Sequence, residues 1–409
     1  MMIWAMLRAW TSLLFFSLTI HAALAWEPSL GVTPSDIHFE RYGIKGGMTY
    51  GYGFAVGDFD GDGYEEISFA DSWTAARSLM REWGAAVYIH KPKHKNRLIY
   101  FEDMSFSESP VDSVALVERQ VAVDIDGDGD LDIVAVANSH DAVLAYINPG
   151  TLKGTWTRIV LSNATPGAVS LDYGDIDNDG DADIVVSMRM QTAAYPAPAP
   201  GLVWLENQGT AWELHKIDMP DELKEIRTVE LVDLTRDGLL DIVASDMRDG
   251  RLFILERSGA VWTWIVADKV DAVNSVHNTV WDINNDGFPD FVFGRGDGIY
   301  WADLATSLSD PEIHLITGFD GYQDAVIGEI TIGDIDGDGL EDVVFSILNL
   351  GIQYATRISG NWSSHWVSND PDRFYNIGLI DYDADGRLDI IGESEYDRNS
   401  ILIFHNRSQ

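Results

Sequence analysis

The 409 residues contain no cysteine. That absence excludes a disulfide framework, a cysteine-ligated zinc site and a lipoprotein attachment point. Positive charge is also scarce: 27 Lys and Arg stand against 66 Asp and Glu, giving a formal net charge of −39. So acidic a chain is a poor partner for nucleic acid or an anionic membrane surface. Long apolar runs are confined to the N-terminus. There Arg8 precedes Ser12-Leu-Leu-Phe-Phe-Ser-Leu-Thr-Ile20, and Ala23-Leu24-Ala25 precedes Trp26. This reads as a signal peptide over residues 1–25, because the run is short for a retained span of ~20 residues and ends in an A-x-A site. No other stretch is suited to crossing a bilayer, so the expected location is secreted, periplasmic or cell-surface. A nucleophile elbow, a P-loop, a dinucleotide fingerprint and a zinc motif are all missing as well.

What is present is a repeated acidic loop. Asp124, Asp126, Asp128 and Asp132 occupy loop positions 1, 3, 5 and 9, with Gly129 at position 6. Ca²⁺ takes hard oxygen ligands, alternating carboxylates supply them, and the glycine allows the sharp turn. Six more loops share the spacing. They are Asp58, Asp60, Asp62 and Glu66; Asp175, Asp177, Asp179 and Asp183; Asp233, Thr235, Asp237 and Asp241; Asp282, Asn284, Asp286 and Asp290; Asp334, Asp336, Asp338 and Asp342; and Asp381, Asp383, Asp385 and Asp389. An EF-hand needs a Glu at position 12. Here that position reads Phe69, Ala135, Val186, Ala244, Phe293, Phe345 and Gly392, so EF-hands are excluded. Up to seven calcium ions are expected, bound most weakly in repeats 4 and 5, where Thr235 and Asn284 replace a carboxylate. Without the ions the carboxylates repel one another, so the fold is expected to depend on calcium.

Each loop runs into a β-type apolar stretch such as Asp132-Ile-Val-Ala-Val, and the loops start 47 to 66 residues apart. Four strands per repeat at this period describe propeller blades. The last repeat stops one strand short after Ile401-Leu-Ile-Phe-His405, while Asp36-Ile-His-Phe-Glu-Arg41 is a spare strand ahead of the first loop. Pairing the two closes the ring and removes an exposed edge. The expected architecture is an all-β, seven-bladed β-propeller over residues 26–409, one domain and monomeric. An open solenoid is the alternative, but it has no use for the spare strand.

Gly53-Phe54-Ala-Val-Gly57-Asp58-Phe-Asp60-Gly-Asp62-Gly63, followed by Gly84-Ala-Ala-Val-Tyr88, resembles the FG-GAP/VCBS family of calcium-loop propellers, which includes the integrin α-subunit head. The resemblance implies that the strand before each loop lines the central channel. Counting back from the first Asp of each loop, positions −4 and −2 are mostly apolar, as in Phe54/Val56, Leu171/Tyr173 and Val229/Leu231. Positions −5 and −3 are polar and, if no bulge reverses the faces, converge at the channel mouth. The candidate ligand-binding residues there are Arg119, Asp172, Glu230, His277, Glu329 and Asn376.

The recurring Trp156, Trp212, Trp262 or Trp264, and Trp362 are expected to pack between blades, and the basic run His90 to Arg97 to form a solvated hairpin tip. The leading functional expectation is a calcium-stabilised, non-catalytic recognition module for a glycan or protein ligand. The alternative is a carbohydrate lyase or dehydratase with His277 as base, Arg119 as charge neutraliser and Tyr52 or Tyr375 as acid.

Overall fold

A computed structural model describes residues 37–45, 48, 51–71, 86–95, 98–101, 117–137, 141–152, 154–188, 201–220, 223, 225–259, 261–319, 321–358, 360–394 and 400–407, with the backbone alone described at 45, 51, 52, 71, 86, 88, 92–95, 98–101 and 358. The expected signal peptide and the proline-rich stretch 195–200 lie outside the described residues. The described residues contain no helix, and so none long and apolar enough to cross a membrane.

Seven antiparallel sheets make seven blades of a β-propeller. Their inner strands are Gly51–Gly57, Val117–Val123, Ala168–Gly174, Ile226–Val232, Thr279–Trp281, Ile327–Gly333 and Phe374–Ile380. Each runs into its acidic loop and returns as the second strand. Among the described residues blade 1 has three strands, followed by a separate hairpin of Pro92–Lys95 against Leu98–Phe101. In blade 7 the outer strand is Phe39–Lys45, which pairs antiparallel with Ser400–Asn406, Phe39 opposite Asn406 and Lys45 opposite Ile401. The spare strand thus begins three residues later than the sequence suggests.

The second strands explain why the sequence shows continuous apolar runs there. In Asp132–Ala137 every residue is buried. Side chains alternate between faces, so Ile133, Ala135 and Ala137 join the core shared with blade 1, while Val134 and Val136 join the core shared with blade 3. Seven such clusters occur, one at each blade interface, the last joining Ile380, Tyr382 and Ile403 of blade 7 to Ile67 and Phe69 of blade 1. Each fully buried Ile, Val or Phe contributes roughly 1.5–3 kcal/mol. The recurrent tryptophans belong to these interfaces: Trp156 packs edge-on against Phe59 of blade 1 at 6.0 Å, and Trp212, Trp262, Trp264 and Trp362 flank the neighbouring clusters.

Between blades, buried asparagines act as clips. Asn148 Nδ2 donates to Phe59 O of blade 1 at 2.6 Å, Asn207 Nδ2 to Ile125 O of blade 2 at 3.1 Å, and Asn406 Nδ2 to Ile335 O of blade 6 at 2.8 Å. Each ties its blade to the second residue of the preceding acidic loop.

Candidate functional site

The inner strands carry chemistry at both ends. At the loop end, the first Asp organises the turn. Asp124 Oδ1 accepts the Gly127 and Asp128 amides at 2.8 and 3.1 Å, and Oδ2 accepts that of Gly129 at 3.0 Å. Asp58, Asp175, Asp233, Asp282, Asp334 and Asp381 accept the amides of positions 5 and 6 in the same way.

The ninth residue is buried and accepts the amide of position 2, as Asp132 Oδ2 does from Ile125 at 3.1 Å. Burial pushes these ninth carboxyls up, Asp132 and Asp183 to about 6, and Glu66, Asp290, Asp342 and Asp389 to about 7. Position 4 also turns left-handed in all seven loops, with φ from 52° at Ala384 to 77° at Gly337. Gly and Asn fill it elsewhere, but Ala384 and Arg236 hold it against their Cβ.

A hard divalent cation fits the donor set of blades 2 and 3. Ligand oxygens of Asp124, Asp126 and Asp132 lie within 4.8 Å of one another, as do those of Asp175, Asp177 and Asp183. Burial and the like charges around them push Asp126 and Asp177 up, so both loops are short of positive charge. In blades 4 to 6 the oxygens Thr235 Oγ1, Asp290 Oδ1 and Asp342 Oδ1 are buried without a hydrogen-bond partner, acceptors that a bound ion would satisfy.

Blades 1 and 7 meet the same spacing, with ligand atoms of Asp58, Asp60, Asp62 and Glu66, and of Asp383, Asp389 and His405, within 4.8 Å of one another, but in each a basic side chain already stands among the carboxylates. In blade 1, Lys91 Nζ lies 2.7 and 2.6 Å from the two oxygens of Asp60, in hydrogen-bond contact with Asp62, and 3.2 Å from Glu66 Oε1. Lys91 therefore leaves the basic run and enters the acidic loop instead of pointing into solvent. Burial works to raise the Asp62 pKa, but Lys91 outweighs it and holds that carboxyl below its usual range. In blade 7, the fully buried His405 has Nε2 3.0 Å from Asp383 and Nδ1 3.2 Å from Asp389, with Arg407 Nη1 3.5 Å from Asp383.

At the other end, one cavity of about 360 Å³ opens on the axis and takes residues from all seven blades. Arg119, Asp172, Glu230, His277, Glu329 and Asn376 all line it, so the six residues expected at the channel mouth do meet. A bulge is present in these strands, between positions −7 and −5 in blades 2, 3, 4 and 7. In those four blades it lies upstream of the lining residues and leaves their faces unchanged; in blades 1 and 6 the irregularity reaches from position −7 to −4 and so includes Gly53 and Glu329, of which Glu329 still lines the cavity. On the apolar face, Leu171, Val229 and Ile377 at position −4 are buried as expected, but Tyr173 at −2 is 42% exposed and packs into no interface. At −5 of blade 1 sits Gly53, with φ +73°, where a Cβ would meet Glu118 O and Arg119 Cα at 3.1 and 3.2 Å. The first blade thus yields its place on the wall to Arg119.

The polar groups are ordered around the ring. Arg119 Nη1 donates to both Glu329 oxygens, at 3.0 and 2.8 Å. Burial opposes charge on Arg119, but Glu329, Glu230 and Asp172 outweigh it and raise its pKa. Asp172 reaches across to accept the Leu231 amide at 2.7 Å, and Glu230 repeats the step one blade on, accepting that of Val280 at 2.8 Å. Burial, with backbone and Arg119 contacts opposing it, pushes Asp172 to about 6; burial and Asp172 together push Glu230 to about 8. His277 is held neutral, first by burial and then by Arg119 and Arg227. Asn376 Nδ2 donates to Glu393 at 2.8 Å, leaving its Oδ1 without a partner.

Sequence reasoning missed Trp281, which lines the cavity and is 44% exposed. The signal lay in position −1, where the other blades carry Gly57, Val123, Gly174, Val232, Gly333 and Ile380. Of the alternative catalytic set, His277 and Arg119 line the cavity and Tyr375 does not; the Tyr52 side chain lies outside the described residues.

Residues 124–186, from the first Asp of the blade 2 loop through the second strand of blade 3, match the FG-GAP-like repeat family. This stretch is similar to FG-GAP-like repeats. A search of curated proteins finds no match to the chain. Among solved structures, the RRP9 WD40 repeats share 10% identity over 90% of this chain and 97% of that one, with a TM-score of 0.53. BBS1N, solved in complex with ARL6DN, shares 11% over 92% and 98%, TM-score 0.53. A lectin from Agrocybe aegerita, described as specifically recognising non-reducing terminal N-acetylglucosamine, shares 18% over 88% and 86%, TM-score 0.50. At these identities the likeness is one of fold, and the FG-GAP-like repeat here is one use of a widely shared propeller frame.

Proposed function

We propose that this protein is a secreted or cell-surface recognition propeller that binds a glycan at the channel mouth, with calcium in its FG-GAP-like loops stabilising the ring. The observation that carries the reading is the convergence of one polar residue from each of several blades, together with an exposed tryptophan, on a single cavity. Small-molecule sites are concave and place a few polar groups around an apolar surface. The polar groups here suit a sugar: Asp172 and Glu230 accept hydrogen bonds from hydroxyls, while the Trp281 ring offers a face for stacking. The lectin among the structural neighbours supports a glycan over a protein ligand as the first class to test.

Calcium is proposed for blades 2 to 6, with ligands from positions 1, 3, 5 and 9, as support for the ring rather than as part of the binding site. The Phe39–Lys45 strand is proposed to latch the ring shut against the last blade. A lyase is less well supported, because Arg119 is engaged by Glu329 and Tyr375 stands away from the cavity. The test is a glycan array with wild type and Trp281→Ala: glycan-selective binding that the variant loses is the expected result. Featureless binding, or binding that the variant retains, counts against the proposed site.

A further inference from the structure

The seven loops share a motif, yet a residue outside the motif faces each of them. It sits on the third strand or, in blade 1, one residue past the strand's end at His90, directly across from loop position 9. The register fixes it: position 10 of each loop pairs with a third-strand residue, as in Ile67↔His90, Ile133↔Tyr146, Ile184↔Leu205 and Ile390↔Phe404, and the next residue outward is the one across from position 9. Read this way, the facing residues are Lys91, Ile147, Glu206, Glu256, Asp303, Thr356 and His405 for blades 1 to 7. In several blades this residue engages its loop. Lys91 touches Asp60, Asp62 and Glu66; Thr356 Oγ1 donates to Asp336 at 2.6 Å; His405 lies against Asp383 and Asp389.

We infer that this facing residue decides how each loop is filled, and that in blade 1 the resident cation is the Lys91 ammonium in place of a calcium ion. The inference rests on the reading that the other loops take calcium. Lys91 contacts carboxylates from positions 3, 5 and 9, three of the four side chains that would ligate the ion. Its Nζ lies 2.6 to 3.2 Å from oxygens of Asp60 and Glu66, and a calcium ion needs 2.3 to 2.6 Å from the same oxygens. Both cations cannot share that space. The ammonium is tethered to the strand, so it reaches the loop without the entropic cost of capturing a free ion. Blade 2 is the natural contrast, since Ile147 brings no charge to Asp124, Asp126 and Asp132.

A reciprocal exchange tests this. Bound calcium is counted by equilibrium dialysis and elemental analysis for wild type, Lys91→Met and Ile147→Lys. Alongside, each protein's Tm is measured with calcium and with chelator. The expected result is that Lys91→Met binds one more ion than wild type and Ile147→Lys binds one fewer. Lys91→Met also loses Tm in chelator and regains it with calcium. Lys91→Gln serves if the Met variant does not fold. Should wild type bind calcium while neither exchange changes the count, the inference fails and the calcium reading stands. A wild type that binds no calcium overturns both.

Discussion

The two ends of the inner strands make different kinds of site. At the loop end a site is complete within one blade, and the same acidic spelling returns seven times. At the cavity end the blades contribute different side chains to one shared wall: Arg119, Asp172, Glu230, His277, Glu329 and Asn376 come from six different blades, and only the amide contact of Asp172 is repeated, by Glu230. Repetition suits support, because each loop holds its own turn and its own blade interface. A recognition surface needs variety at equivalent positions, and the closed ring is what brings that variety together.

Removing calcium gives the largest expected effect, and it should strike the loop end alone. Chelation of wild type is expected to lower stability by roughly 2.7 kcal/mol for each loop occupied at about 100 times its Kd, measured as a fall in Tm. An unchanged Tm would remove the distinction between support and recognition. Asp126→Asn in blade 2 should cost a similar amount in calcium and little in chelator. Asp60→Asn in blade 1 should cost about 1 kcal/mol in both conditions, since it loses a contact to Lys91 and no metal. Paired Tm measurements separate the two loops.

The cavity end offers a pH test of opposite character. The Glu230 pKa in the fold is about 8, raised above the ordinary carboxylate value. The native state therefore keeps a proton that the unfolded chain releases, and stability falls as pH rises from about 4 through about 8. Glu230→Gln is neutral throughout. It should flatten that slope and gain on the order of 1 kcal/mol above pH 8, while weakening ligand binding. A denaturation series across pH checks it, and a slope unchanged in the variant would remove Glu230 from the titrating groups. The smallest effect is at position 4, where Arg236→Gly and Ala384→Gly relieve a left-handed backbone. The expected gain is about 0.5–1 kcal/mol in denaturant midpoint for Ala384→Gly. Arg236→Gly should gain less, since Arg236 also stacks on Phe288 at 4.4 Å.

Much of this was legible in the chain. The loop spacing gave the blade count, and counting back from the first Asp placed six wall residues on one face. The Lys91 contact was not legible, because the residue across from position 9 falls between 13 and 25 positions downstream, depending on the turn between second and third strands. Only the strand register identifies it. Trp281 was hidden for another reason. Position −1 is apolar or glycine in every blade, and whether an apolar residue there is buried depends on the short inner strand of blade 5, Thr279–Trp281. The asparagine clips were likewise invisible, since their acceptors are backbone carbonyls of the preceding blade.

The most direct measurement of the division between the two ends compares Trp281→Ala with Asp126→Asn in calcium, each scored for glycan-array binding and for Tm. The expected result is that Trp281→Ala loses binding with Tm unchanged, whereas Asp126→Asn loses Tm and keeps the wild-type binding pattern at a temperature where it is folded. The reverse assignment, or a binding pattern that follows the loop variant and ignores the tryptophan, would contradict it.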